Sequence, residues 1–301
     1  DIDIVANFIS NQQRNITIQT SGEGNVEKRV NGNLVDGTGA KGIKKDIGIV
    51  NDKIEAIGNL KDASANIIID ASGKVVSPGF IDTHSHADFD ILRNPQHIYG
   101  ISQGVTTEIL SPDGIGIVPL SKNKSAEHIN YLSGILGHPP EDFDGTSFDQ
   151  AKNFYHKKSK CNVAIFAGHG PLRLELCGMD DVPLRGEKMK KAKYNLEKAF
   201  EEGAAGFSTG LDYYPQTFSD TDELIELSKI AASKNKVYSV HLRSHEKHRA
   251  FANGGILEAI EVARKSEAPL LVEHYSCLLY TTDAADDTPC EDLRGRRIIK
   301  K

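Results

Sequence analysis

The chain has 301 residues, 39% hydrophobic and 26% charged, enough for one barrel-sized core and a small extra domain. A net charge of −6 and the absence of Trp leave no basic footprint for nucleic acid, and no apolar run approaches the roughly 20 residues that span a bilayer. Four cysteines, Cys161, Cys177, Cys277 and Cys290, follow neither a metal-type nor a disulfide-framework spacing, which points to a reducing, cytoplasmic setting. The first residue is Asp1, so a removed leader stays open as well.

Residues 1–25 carry no sustained period and are left unassigned. From 26 to 75 the pattern is short and β-like. It runs through Gly-Asn-Leu-Val-Asp-Gly-Thr-Gly (32–39), Asp-Ile-Gly-Ile-Val (46–50), a turn at Asn51-Asp52, then 53–58 and 67–70. Turn residues between alternating segments predict the hairpins of a small β-sandwich. From 76 the rhythm becomes strand then helix. Strands are expected at 79–83, 105–110, 162–167, 205–209, 237–241 and 270–274, and helices most clearly at 187–202, 222–235 and 254–266. Such alternation implies parallel strands with helical crossovers, an α/β layer fold or a (β/α) barrel, here over 76–276. Past Tyr275 the rhythm stops, and 277–301 resembles translated sequencing-adaptor text, with a solvated tail as the plain alternative.

One strand delivers His84 and His86 to its carboxyl end at i and i+2, where alternate residues share a face and two imidazoles supply half of a four-coordinate metal site. Other predicted strand ends carry Asp113, His169, Tyr213, His241 with Arg243, and His274. Eleven histidines scattered at random would not fall at so many strand ends, where barrel enzymes keep their working residues. The pattern points to a metal-dependent hydrolase. By contrast His245 and His248 read as a solvated loop or helix start, and His97, His128, His138 and His156 as surface residues.

Several segments carry a family resemblance. They are Val35-Asp-Gly-Thr-Gly39, Ile69-Asp-Ala-Ser-Gly73, Pro78-Gly-Phe-Ile-Asp-Thr-His-Ser-His86 with Asp88, Gly104-Val-Thr-Thr107, Gly168-His-Gly-Pro-Leu-Arg173, Gly206-Phe-Ser-Thr-Gly-Leu-Asp-Tyr213 with Pro215, and Val240-His-Leu-Arg243. From about Val30 to His274 the chain resembles the amidohydrolase superfamily, and specifically its N-acyl-D-amino-acid deacylase (D-aminoacylase) family. The first three segments mark only the superfamily; the Gly-His-Gly and Ser-Thr-Gly-Leu segments are closer to the deacylases.

The resemblance implies a (β/α)8 TIM-like barrel, incomplete here, with the small β-sandwich domain, and one or two divalent ions, Zn2+ foremost. It assigns His84 and His86 to one metal position and His241 and His274 to a tighter one. Asp113 falls where many members have a cysteine ligand; a carboxylate can take a thiolate's place but is harder, and an Asp-Gly turn residue is the alternative. Tyr213 matches a substrate-contacting tyrosine, and His169 and Arg243 are candidate substrate contacts, Arg243 alternatively pairing with Glu246. Arg173 either orients the His169 loop or forms a surface ion pair. The family's catalytic aspartate lies at the end of an eighth strand that this chain does not reach, and a lysine common after the sixth-strand histidine is replaced by Ser276.

The implied reaction is hydrolysis of the amide of an N-acyl-D-amino acid. The metal acidifies water and polarises the carbonyl, Tyr213 steadies the oxyanion, and a carboxylate relays the proton. Alternatives are a cyclic-amide amidohydrolase of dihydroorotase or hydantoinase type, disfavoured because Phe207-Ser208-Thr209-Gly210 holds no lysine, and a non-catalytic homologue. The expected partner is a small-molecule substrate, with neither nucleic acid nor membrane.

Overall fold

The computed structural model describes residues 26–274; the segments 1–25 and 275–301, with the adaptor-like tail and Ser276, lie outside the described residues. The described chain forms two compact units, one of 26–82, 96–107 and 160–162, the other of 83–95, 108–159 and 163–274. Among the described residues no helix is long and apolar enough to cross a membrane.

The first unit is built on β1 (Val26–Leu34), β2 (Ile43–Val50), β3 (Lys53–Gly58) and β4 (Ala65–Val76), in the order β3-β2-β1-β4. The predicted turn at Asn51-Asp52 closes the β2–β3 hairpin, with Asn51 at φ 54, a left-handed conformation that asparagine tolerates. The described strands of this unit form one mixed sheet, in which β4 returns to pair parallel with β1 (Val30 opposite Ile69). Inward residues of alternating register, Val30, Leu34, Ile47, Ile49, Ile57 and Ala71, make its core.

The strand–helix part follows the predicted rhythm. Strands β5 (Phe80–Ser85), β6 (Val105–Leu110) and β7 (Asn162–Ile165) are neighbours in that order, and β8 (Ala167–Gly168), β9 (Gly206–Gly210), β10 (Val237–His241) and β11 (Leu270–Glu273) form a second, parallel run. Only Phe166 separates β7 from β8. This is a parallel α/β arrangement, and among the described residues the strands do not close into a barrel.

The helices are α1 (Asp90–Arg93), α2 (Ile98–Ile101), α3 (Lys122–Leu136), α4 (Phe148–Tyr155), α5 (His169–Cys177), α6 (Gly186–Glu201), α7 (Thr221–Ser233) and α8 (Gly255–Ser266). α6 buries Ala192, Leu196, Ala199 and Phe200, the i, i+4, i+7, i+8 stripe that made it legible as a helix. α7 starts where Asp220 accepts a hydrogen bond from the Glu223 amide at 3.0 Å, an N-cap of the ordinary kind. α5 is buried along most of its length, so it lacks the polar stripe that periodicity needs. Cys161 and Cys177 are buried.

Candidate metal centre

The strand ends of the second unit converge on one side chain. Asp113 sits in the 3-10 turn Pro112–Gly114 after β6, is fully buried, and carries φ 54, so it is at once the turn residue and a centre of charge. Its Oδ2 lies 3.2 Å from His274 Nε2, 3.5 Å from His86 Nε2 and 3.7 Å from His84 Nε2, and its Oδ1 lies 3.7 Å from His241 Nδ1. The Nε2 atoms of His84 and His86 are 3.2 Å apart, as the i, i+2 spacing on β5 requires. Burial by itself raises the Asp113 carboxyl, but the surrounding imidazoles outweigh it and hold the group below its ordinary range. His84, Asp113 and His274 offer ligand atoms all within 4.8 Å of one another. This trio takes one histidine from each pair that the resemblance assigns.

The donor set suits a divalent metal. Asp113 Oδ1 and His241 Nδ1 are buried and without a hydrogen-bond partner although they face each other, an arrangement that leaves two polar atoms unsatisfied. Imidazole nitrogens and carboxylate oxygens are the ligands zinc takes, and a cation between such atoms satisfies both. His84 is oriented from behind: its Nδ1 hydrogen-bonds the buried Glu273, which also accepts from Ser239 Oγ, and the tautomer this selects leaves the Nε2 lone pair facing Asp113.

Glu273 was not singled out from the sequence; its signal is the residue before His274 on β11. Two further carboxylates were quoted in motifs without a role. Asp212 stands 3.7 Å from His241 Nε2 and accepts from Ser244 N at 2.8 Å, from the Ser244 hydroxyl and from His245 N at 3.0 Å. Burial raises it, and these bonds together with His241 more than reverse that, leaving it far below the usual carboxylate range. Asp88 is buried, which raises its carboxyl, and accepts from Ser111 Oγ at 2.8 Å on the turn that carries Asp113.

Tyr213 comes to the same place, its ring 5.0 Å from that of His241, and burial followed by the Asp113 charge raises its hydroxyl above the ordinary value, so the O–H stays a donor. His169 and Arg243 do not join it. His169 is fully buried and donates through Nε2 to Glu223 at 2.8 Å, while burial lowers its pKa and keeps it neutral. Arg243 is buried too and donates to Glu258 at 3.0 Å, Thr217 O at 2.8 Å and Ser219 O at 3.0 Å. Its partner is Glu258 on α8, not Glu246. Both are corrected from substrate contacts to groups that brace the scaffold, because their donors are consumed inside it. Arg173, buried, pairs with Glu223 at 2.7 Å rather than at the surface. His97 and His128 are buried rather than superficial, His128 donating through Nε2 to Gly116 O at 3.1 Å; His138, His156, His245 and His248 are exposed as expected.

D-aminoacylase of Alcaligenes xylosoxydans xylosoxydans is 31% identical over 247 residues, 82% of this chain and 50% of that protein. A solved D-aminoacylase structure superposes with a TM-score of 0.69 at 29% identity, over 82% of this chain and 51% of that one. The chain is a homologue of the D-aminoacylases. An N-acyl-D-glutamate deacylase from Bordetella bronchiseptica, solved with zinc and a phosphonate mimic of the tetrahedral intermediate, superposes with a TM-score of 0.68 at 28% identity, covering 82% of this chain and 50% of that chain. No protein-family model matches. The chain spans about half the length of these relatives.

Proposed function

We propose that the protein carrying this chain is a metal-dependent amidohydrolase that cleaves the amide of N-acyl-D-amino acids, with a small molecule as its partner. The observation that carries the reading is the meeting of His84, His86, His241 and His274 around the buried Asp113 carboxylate. The homology to D-aminoacylase supports the substrate class. Zn2+ or a similar divalent ion, one or two per chain, is held by those five residues. When bound, such an ion supplies polarisation of the scissile carbonyl and acidified water.

The chain's own groups do the rest. Glu273 fixes the His84 ring so that its Nε2 lone pair faces inward. Asp212 places its carboxylate behind His241, 3.7 Å from Nε2. Tyr213, protonated and beside His241, donates to the oxygen on which charge develops as the amide carbon becomes tetrahedral. The proton that must reach the leaving nitrogen is carried by a carboxylate, because an amide anion is a very poor leaving group; no described residue is assigned that task.

Elemental analysis of the purified chain tests the metal centre: near-stoichiometric metal is expected, and Asp113→Ala should remove most of it, whereas full retention would rule Asp113 out as a ligand. On the whole protein, release of D-amino acid from N-acetyl-D-amino acids is compared with the L-isomers and dihydroorotate. Turnover confined to dihydroorotate would move the assignment to the cyclic amides.

A further inference from the structure

The Asp113 turn is an unfavourable piece of backbone. Ser111 (φ 59), Asp113 (φ 54) and Gly114 (φ 60) are all left-handed within four residues. For residues with a Cβ this costs on the order of 1–2 kcal/mol each, so the turn persists only where its surroundings fix it. The surroundings are identifiable. Ser208 Oγ donates to Ser111 O at 2.7 Å and accepts from Gly114 N at 3.2 Å. The Asp113 carbonyl is held by Gln216, whose Nε2 donates to it at 3.0 Å.

Gln216 is fully buried, and both ends of its amide are used: Oε1 accepts from Gly210 N at 2.7 Å, at the end of β9. The amide therefore ties the backbone of the carboxylate turn to the last residue of a central strand. The fit around it is tight. A Cβ at Gly210 would meet Asp113 O at 2.1 Å, one at Gly114 would meet Gln216 Oε1 at 2.0 Å, and one at Gly170 would meet Gly114 O at 2.7 Å. Glycines from separate segments leave just the room that the turn and the Gln216 amide fill.

We propose that Gln216 is a positioning residue for the metal centre: its amide holds the Asp113 peptide in the left-handed turn and so aims the carboxylate at the four histidines. Both of its amide hydrogen bonds go to main-chain groups, so it acts through the backbone of Asp113. The inference rests on the reading of Asp113 as a metal ligand.

The test uses the full 301-residue chain as wild type, Gln216→Met, which keeps the length and loses both hydrogen bonds, and Leu196→Ala, a buried α6 truncation that destabilises away from the site. Co2+ titration followed by visible absorption should show affinity about 10- to 100-fold weaker in Gln216→Met, the cost typical of losing an outer support of a metal ligand, with Leu196→Ala at the wild-type value. Hydrogen exchange without metal should be faster in Gln216→Met over the segment 111–117 and unchanged there in Leu196→Ala. Wild-type cobalt affinity in Gln216→Met, equal losses in both variants, or unchanged exchange overturns the role. Failure of the wild type to bind cobalt would instead refute the metal reading, and the exchange comparison alone would then decide whether Gln216 holds the turn.

Discussion

Glu223→Gln is the most informative perturbation of the scaffold under the site. Oε1 of Glu223 accepts from His169 Nε2 at 2.8 Å and Arg173 Nη1 at 2.7 Å, and Oε2 accepts from Arg173 Nη1 at 2.7 Å and Leu184 N at 2.6 Å. An amide at this position turns an NH2 toward donors and leaves the Arg173 guanidinium buried without its counter-charge. Breaking a buried pair from one side costs about 3–5 kcal/mol, and for a chain of this size that lowers the melting temperature by roughly 6–20 °C. The electrostatics of the site point to a cost of the same size. Burial raises the Glu223 carboxyl, but the His169 and Arg173 interactions prevail and bring it from 4.5 to about 2. That separation corresponds to about 3 kcal/mol, in line with the lower bound of the first argument. Because the folded value is the depressed one, this stability is fully present above 4.5 and is lost as pH falls toward 2. Urea unfolding followed by circular dichroism at pH 7 and at several values down to 2.5 measures both. The wild type should lead Glu223→Gln by about 3 kcal/mol at pH 7, with the lead shrinking in acid. A difference below about 1 kcal/mol at pH 7, within the range of an exposed pair, would refute the reasoning; so would a gap that does not change with pH.

Gly210→Ala should destabilise by at least about 1–3 kcal/mol, since its Cβ would stand 2.1 Å from Asp113 O, and thermal melts of the variant would show it. Glu273→Gln should weaken metal binding about 10-fold or more, read by competition with a chelator, because His84 loses the carboxylate that selects its tautomer; unchanged affinity would exclude Glu273 as its support.

What the sequence made legible was local. β10, β6 and the stripe of α6 follow from short periods, and the histidine at each strand end follows from where those periods stop. His84 and His86 share a face because strand geometry permits nothing else. The misread residues depend on partners far along the chain. Arg243 stands at a strand end like His241, yet its fate is set by Glu258 on a helix 15 residues later. His169 is decided by Glu223, 54 residues away. The burial of His97 and His128 is equally a product of tertiary packing, and nothing in their neighbours announces it. The β1–β4 pairing was hidden for the same reason, since it joins residues about 40 apart and no hairpin signal reports it.

The stretch from Tyr213 to Ser219 is gripped by its main chain. Arg173 Nε holds Pro215 O at 2.9 Å, and Arg243 holds Thr217 O and Ser219 O, so the anchors close on carbonyls that every amino acid possesses. Apart from the buried Gln216, whose amide ties the stretch to the Asp113 turn, the exposed side chains of this stretch are thereby released from the duty of keeping its shape. Tyr214, 48% exposed, can be exchanged by natural drift or by design without unfastening the segment. The architecture separates what an exposed residue of this stretch displays to solvent from what holds the stretch in shape.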